Sequence, residues 1–150
     1  MVEIGLEYLL LPTDNATWGM WEFGSVLLLF LVAGAVTAWR TRRAGAAVLA
    51  GFWTALVASL IWYAAVLAVF YAFRGSARQD AVLRAEGDFE DFRRSGLADL
   101  QVFLMGDFLG AGFFHLLLSP LVGAALGAFG ALMAAVARRS PPKVSAPPAA

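Results

Sequence analysis

Three long stretches of the chain contain no Asp, Glu, Lys or Arg, and they constrain the fold more than any other feature. They cover residues 23–39, 44–73 and 108–137, and therefore have 17, 30 and 30 residues. A helix needs about 20 residues to cross the hydrocarbon core of a bilayer, which is about 30 Å thick. Uncharged runs of this length are typical of transmembrane helices. The sequence therefore predicts an all-α integral membrane protein with three transmembrane helices, at about residues 20–39, 44–73 and 107–137.

The composition supports a membrane protein and excludes some kinds of chemistry. Hydrophobic residues make up 61% of the 150 residues and charged residues 15%, whereas soluble proteins have roughly a half and a quarter. The chain has no cysteine, which excludes disulfides, thiolate metal ligands and a cysteine nucleophile. Lys143 is the only lysine among 11 basic residues. This preference for arginine is typical of GC-rich bacterial genomes, so we expect the inner membrane of a bacterium.

The charged residues predict the orientation of the chain in the membrane. The loop between the first two spans and the segment after the third contain basic residues and no acid: Arg40, Arg42, Arg43, Arg138, Arg139 and Lys143. All 11 acids lie before the first uncharged run or between the second and third runs. Cytoplasmic flanks of membrane helices are enriched in Lys and Arg. We therefore expect an extracytoplasmic N-terminus and a cytoplasmic C-terminus.

An alternative with four spans breaks the third run at Ser119-Pro120 and uses residues 97–118 as a separate crossing. It places Asp107 near the middle of the membrane, at a cost of about 2.5 to 3.5 kcal/mol on insertion scales. It also moves Arg138 and Arg139 to the extracytoplasmic side. The three-span arrangement is favoured, and the sequence leaves open whether the third span is one helix.

Residues 1–139 are predicted to form a single transmembrane domain, followed by a disordered cytoplasmic tail at 140–150 that is rich in proline. Residues 1–17 form an outer N-terminal segment, and residues 74–106 an outer amphipathic connection. Ser76 and Gln79 have the spacing of a capping box, Gly87 and Gly96 can end short helices, and Asp88 can cap the second of them. The second and third spans exceed the bilayer by about ten residues each. They either tilt or project, and the connection would cover projecting ends.

Small residues recur four positions apart on each span, a spacing that lets helix backbones approach closely in membranes. The residues that we expect to mediate helix packing are Gly34, Gly51, Gly123, Gly127 and Ala131. Most of them lie in the half of the spans nearest the arginines, whereas the other half carries bulky aromatic residues. The pattern predicts a bundle that is tight at the cytoplasmic side and splayed at the outer side, unless the small residues reflect ordinary packing.

The splayed half suggests a candidate ligand site, with aromatic walls and a polar rim. Its residues are Glu22, Trp62, Tyr63, Phe113, Phe114 and His115. Such a cleft would admit a lipid or a quinone, and His115, the only histidine, could ligate a haem or another pigment. The alternative is that the aromatic residues are interfacial anchors and that His115 forms a hydrogen bond with Ser119. The sequence has no cluster that predicts a metal site.

Motifs of known enzymes are absent, and the spans have no charged residue at their centres. We therefore expect no catalysis. The preferred interpretation is a structural or accessory subunit that acts by helix packing in a homo-oligomer or a larger membrane complex. Its partners would be membrane lipids and other membrane subunits or copies of itself, and not nucleic acid. The alternatives are a homo-oligomeric channel or small-solute transporter and an outer-leaflet module that binds a lipid, quinone or pigment.

Overall fold

A computed structural model describes the backbone of residues 15–139 and the side chains of residues 20–139. Within these residues the chain forms five α-helices and no strand: α1 (Asn15–Thr41), α2 (Ala44–Phe73), α3 (Ala77–Glu86), α4 (Asp88–Ser95) and α5 (Leu100–Arg139). Most of the expected N-terminal segment and the whole of the expected disordered tail, residues 140–150, lie outside the described residues.

Three of the helices are long and apolar enough to span a membrane, which confirms the predicted fold class. The spans are Met20–Thr41, Ala44–Phe73 and Leu100–Arg139. A turn of two residues joins α1 to α2, and α5 packs against both of them. The three long helices therefore form one bundle in which α2 runs opposite to α1 and α5.

The third span is a single helix, so the four-span alternative is wrong. Helix α5 continues through Ser119 and Pro120 without a break. Pro120 has no backbone N–H, so the carbonyl of Leu116 lacks its usual partner one turn later. The helix also begins at Leu100 rather than near residue 107, because Asp99 caps it: its Oδ1 accepts hydrogen bonds from the Gln101 and Val102 backbone amides at 2.7 and 3.2 Å.

The connection between α2 and α5 folds as the turn residues predict, with one difference. Ser76 Oγ accepts a hydrogen bond from the Gln79 backbone N–H at 3.1 Å, and Gln79 Oε1 accepts one from the Gly75 backbone N–H at 2.8 Å. Gly87 and Gly96 adopt left-handed conformations, with φ of 87° and 71°. Gly87 both ends α3 and precedes α4, so Asp88 is the first residue of α4 and not its cap.

The connection packs on the ends of α2 and α5. Phe70 of α2, Leu83 of α3 and Leu104 of α5 form a buried cluster, against which five other apolar side chains pack: Phe89, Leu100, Phe103, Met105 and Phe108. At 1.5 Å per residue, α2 and α5 are about 45 and 60 Å long, well beyond a 30 Å hydrocarbon core. The covered ends favour projection over tilt alone.

The opposite end of the bundle carries five arginines, Arg40, Arg42, Arg43, Arg138 and Arg139, and is called the arginine end below. Arg42 lies in the α1–α2 turn with a positive φ of 56°. The Arg138 guanidinium donates a hydrogen bond to the Ala38 carbonyl at 3.0 Å and lies 5.6 Å from the centre of the Trp39 ring. Arg138 therefore fastens the end of α5 to the end of α1. The end that carries α3 and α4 is called the connection end.

Candidate functional site

The three long helices meet at four glycines, which together are called the glycine seam: Gly34 of α1, Gly51 of α2, and Gly123 and Gly127 of α5. All four are buried. A Cβ placed on Gly34 would overlap the Gly127 Cα and lie 2.7 Å from the Gly127 carbonyl oxygen. A Cβ on Gly51 would lie 2.9 Å from the Gly123 carbonyl carbon and 3.1 Å from the Gly127 Cα. The helices are therefore in backbone contact, and no side chain fits between them.

Small residues between the seam and the arginine end continue this close packing. Ala131, which the sequence predicts as a packing residue, is 7% exposed and belongs to a buried cluster of alanines, Ala38, Ala47, Ala131 and Ala134. A Cβ on Gly130 would lie 2.6 Å from the Leu31 carbonyl oxygen and 2.7 Å from the Ala35 amide nitrogen. Small residues are needed at these positions because a larger side chain would collide with backbone atoms, which have little freedom to move.

In the half nearest the connection, aromatic rings of α2 pack across α5. The Tyr63 ring lies directly on Gly112, where a Cβ would be 2.6 Å from Tyr63 Cδ2. Phe70 and Phe108 pack edge to face, with ring centres 5.0 Å apart. These rings fill the interface between α2 and α5. Gly112 is the residue that makes room for Tyr63.

His115 contacts two of the aromatic residues predicted to share its site. The centres of the His115 and Trp62 rings are 4.5 Å apart, with the ring planes inclined by 52°. Phe114, the preceding residue, lies 6.1 Å from His115 between ring centres. The structure thus brings Trp62, Tyr63 and His115 to one stretch of the α2–α5 interface.

The other predicted ligand residues are two phenylalanines of α5 and Glu22 of α1. Phe113 and Phe114 are 66% and 59% exposed, so their rings face away from the packed interior. Glu22 is partly buried on α1, where its backbone carbonyl accepts a hydrogen bond from Ser25 Oγ at 2.8 Å. The six residues therefore comprise a packed group of three on α2 and α5, an exposed aromatic pair of which Phe114 contacts His115, and Glu22 on α1.

A groove that the sequence does not indicate lies at the connection end, between the C-terminal end of α2 and the N-terminal end of α5. It is open and has a volume of about 450 Å³. Its lining is apolar with a few polar groups: Phe70, Arg74, Asp99, Gln101, Val102, Met105, Gly106 and Leu109. The sequence does not predict these residues as a site because no motif links them. Only the start of α5 at Leu100, seven residues before the predicted span, brings Gln101 and Val102 onto the helix.

Carboxylates from the connection and α5 lie close together at this end. Burial raises the pKa of Asp88, and the nearby carboxylates of Asp107 and Asp91 raise it further, whereas a hydrogen bond with the Glu86 side chain lowers it. Asp107 thus lies inside α5 beside another acid and does not cap the helix. Among the residues that the structure describes, no three His, Asp or Glu side chains are placed to hold a metal ion.

Comparison with known proteins gives no relative: no protein family, no curated protein and no solved structure matches this chain. What the geometry defines is a three-helix membrane bundle with a glycine seam at its centre and an interface of aromatic rings beside it.

Proposed function

We propose that this chain is a structural or accessory subunit of the bacterial inner membrane that acts through helix packing with copies of itself or with other membrane subunits. One observation carries the proposal. The small residues make backbone contacts between helices of the same chain. The outward faces of all three long helices carry large apolar side chains. A protein that keeps its shape by itself and presents three apolar faces is suited to fill a place among other membrane helices.

The glycine seam bears on the channel alternative. Because no side chain fits between Gly34, Gly51 and Gly127, a solute cannot pass along the axis of a single bundle. The described parts of the spans also lack a charged residue between Phe23 and Trp39 and between Ala44 and Phe73. Ion pathways normally place charged or polar groups at the centre of the membrane. A pore would therefore have to form between several copies.

Intermolecular contacts must use faces other than the seam. On α2 the outward residues include Trp53 and Val57, and on α5 they include Leu117 and Leu121, all at least half exposed. These side chains are compatible with lipid and with a neighbouring helix alike. The experiment must therefore distinguish contact with a partner from contact with lipid.

Cysteine cross-linking suits this test because the natural chain has no cysteine. Single substitutions Leu28→Cys on α1, Val57→Cys on α2, and Leu117→Cys and Leu121→Cys on α5 are made in the full chain. Each cysteine is labelled with a thiol-reactive photo-cross-linker, which needs no cysteine on the partner, and the native membranes are irradiated. We expect one of these faces to give a product of defined mass, which mass spectrometry identifies as a homodimer or a complex with another subunit. Ser59→Cys is the matched control, since Ser59 is 7% exposed and faces the interior of the bundle.

The outcomes separate the candidate functions. A cross-linked complex of different chains supports an accessory subunit, and a closed ring of identical chains supports a channel. If cysteines on the outward faces of α1, α2 and α5 all give no more product than Ser59→Cys, the protein acts as a monomer among lipids and the proposal is wrong.

A further inference from the structure

Among the described residues, none of the five guanidinium groups at the arginine end pairs with a carboxylate. The sequence has no Asp or Glu from Phe23 to Gln79 or from Phe108 to Ala150. Arg93 and Arg94 form ion pairs with Glu90 and Asp91 on α4, at the other end of the molecule. Within residues 15–139, the arginine end is therefore a cationic surface without a counter-charge.

These arginines are fixed at the edge of the apolar part of the bundle. Arg40 follows Trp39 directly, Arg43 precedes the first residue of α2, and Arg138 follows the last uncharged residue of the third span. Trp39 is 54% exposed, which is typical of an aromatic ring at the membrane interface. The guanidinium groups consequently lie at the level where lipid phosphates begin.

The roles of the arginines differ. Arg138 donates to the carbonyls of Ala38 and Trp39, at 3.0 and 3.5 Å, and so belongs to the internal packing. All five arginines are exposed, but Arg40, Arg42, Arg43 and Arg139 do not take part in this contact. Two of them follow each other in the tight α1–α2 turn, which holds their backbones close together beside the end of α5. A guanidinium group presents several N–H donors in a fixed plane, which suits two oxygens of one phosphate.

We infer that the arginine end binds the headgroups of anionic phospholipids in the bilayer that contains the protein. Its charge, its position at the edge of the spans and the absence of carboxylates match a layer of lipid phosphates. The inference does not depend on the proposed subunit role, because a monomer and an oligomer present the same five arginines. Each basic residue near an anionic bilayer surface contributes appreciably to binding.

Native mass spectrometry of the full chain in detergent tests the inference, with phosphatidylglycerol or phosphatidylcholine added at known concentrations. We expect wild type to retain phosphatidylglycerol in preference to phosphatidylcholine. The double variant Arg40→Gln with Arg43→Gln should weaken retention of phosphatidylglycerol about thirtyfold and leave that of phosphatidylcholine unchanged. Replacing the same two residues with lysine should restore most of the binding, because the charge is kept.

The matched control is Arg93→Gln with Arg94→Gln, which removes the same charge from α4, where both arginines are already paired. It should bind phosphatidylglycerol like wild type. Melting temperatures of all variants check that each is folded. Equal retention of the two lipids by wild type, or equal weakening in the two glutamine doubles, would overturn the inference.

Discussion

Gly34 of α1 and Gly127 of α5 are in direct backbone contact, since a Cβ on Gly34 would overlap the Gly127 Cα. Gly127 also contacts α2, because a Cβ on Gly127 would lie 3.1 Å from the Ala47 carbonyl carbon and 3.3 Å from the Val48 Cα. One glycine therefore sets the distance between all three long helices. Backbone atoms cannot rotate away as a side chain can, so a larger residue at this position forces the helices apart.

The first prediction is that Gly127→Leu destabilises the bundle strongly. A leucine must push α1 and α2 away from α5, and overpacking of this kind costs about 3 kcal/mol or more. Phe129→Leu is the control, because Phe129 is on the same helix, two residues away, and is 53% exposed. Thermal unfolding in detergent measures both variants. If Gly127→Leu melts at the same temperature as Phe129→Leu, the seam does not control the stability of the bundle.

The sequence predicts the architecture well because two clear patterns extend along each long helix. Uncharged runs set the spans, and small residues four apart mark the helix faces that meet at Gly51 and Gly123. Local turn chemistry is equally readable at Ser76 and Gly87. These features depend on the residue itself and its near neighbours along the chain, so they can be inferred without the fold.

The parts that cannot be predicted depend on contacts between distant residues. Nothing in the sequence shows that Gly112 lies under the Tyr63 ring, because 48 residues separate them and glycine is common on this helix. The groove beside Phe70 and Arg74 arises from where α5 begins, which Asp99 decides through its cap. Phe113 and Phe114 are expected to line a cleft with His115, but both are more than half exposed, and Phe114 contacts His115 from the exposed side.

The second prediction concerns the contact between Tyr63 and Gly112. Gly112→Ala places a methyl group in the space of the Tyr63 ring, and we expect a loss of about 1 to 2 kcal/mol in the free energy of unfolding. In a Tyr63→Leu background the same substitution should cost less, because the ring is no longer there. The difference between the two costs is the coupling energy of the pair. Gly110→Ala is the control, since a Cβ on Gly110 meets nothing within 4 Å. A coupling energy near zero would show that the contact is not maintained.

The third prediction follows from the raised pKa of Asp88, which burial and the carboxylates of Asp107 and Asp91 cause. A pKa above its ordinary value means that the folded protein binds the proton more tightly than the unfolded chain. The stabilisation is complete below pH about 3.8 and is lost as the pH rises through the raised pKa. Asp88→Asn should therefore raise the melting temperature at pH 7, and its advantage over wild type should shrink as the pH falls.

Asp107→Asn distinguishes this effect from a general change in charge. It removes one of the two carboxylates that oppose ionisation of Asp88, so the pH dependence of melting should lie between those of wild type and Asp88→Asn. A difference between Asp88→Asn and wild type that stays constant from pH 4 to pH 8 would contradict the assignment.

The fourth prediction is the orientation of the bundle. Because basic flanks are retained in the cytoplasm, the arginine end should face inward and the connection outward. A reporter that is active only in the cytoplasm should work when fused after Ala150 and fail when inserted near Gly87. Activity of both fusions on the same side would be incompatible with three spans. Activity with the two sides exchanged would mean that the arginines do not set the orientation.

The last prediction separates His115 from the exposed residue beside it. His115 is partly buried against Trp62, with ring centres 4.5 Å apart, whereas Phe114 is 59% exposed. His115→Ala should cost about 1 kcal/mol of stability and shift the fluorescence of Trp62, because the ring loses its neighbour. Phe114→Ala should change stability by less than about 0.5 kcal/mol, as surface substitutions usually do. Fluorescence is compared in a variant whose only tryptophan is Trp62. If both alanine variants leave its emission and the melting temperature unchanged, the His115–Trp62 contact contributes nothing to the packing of α2 on α5.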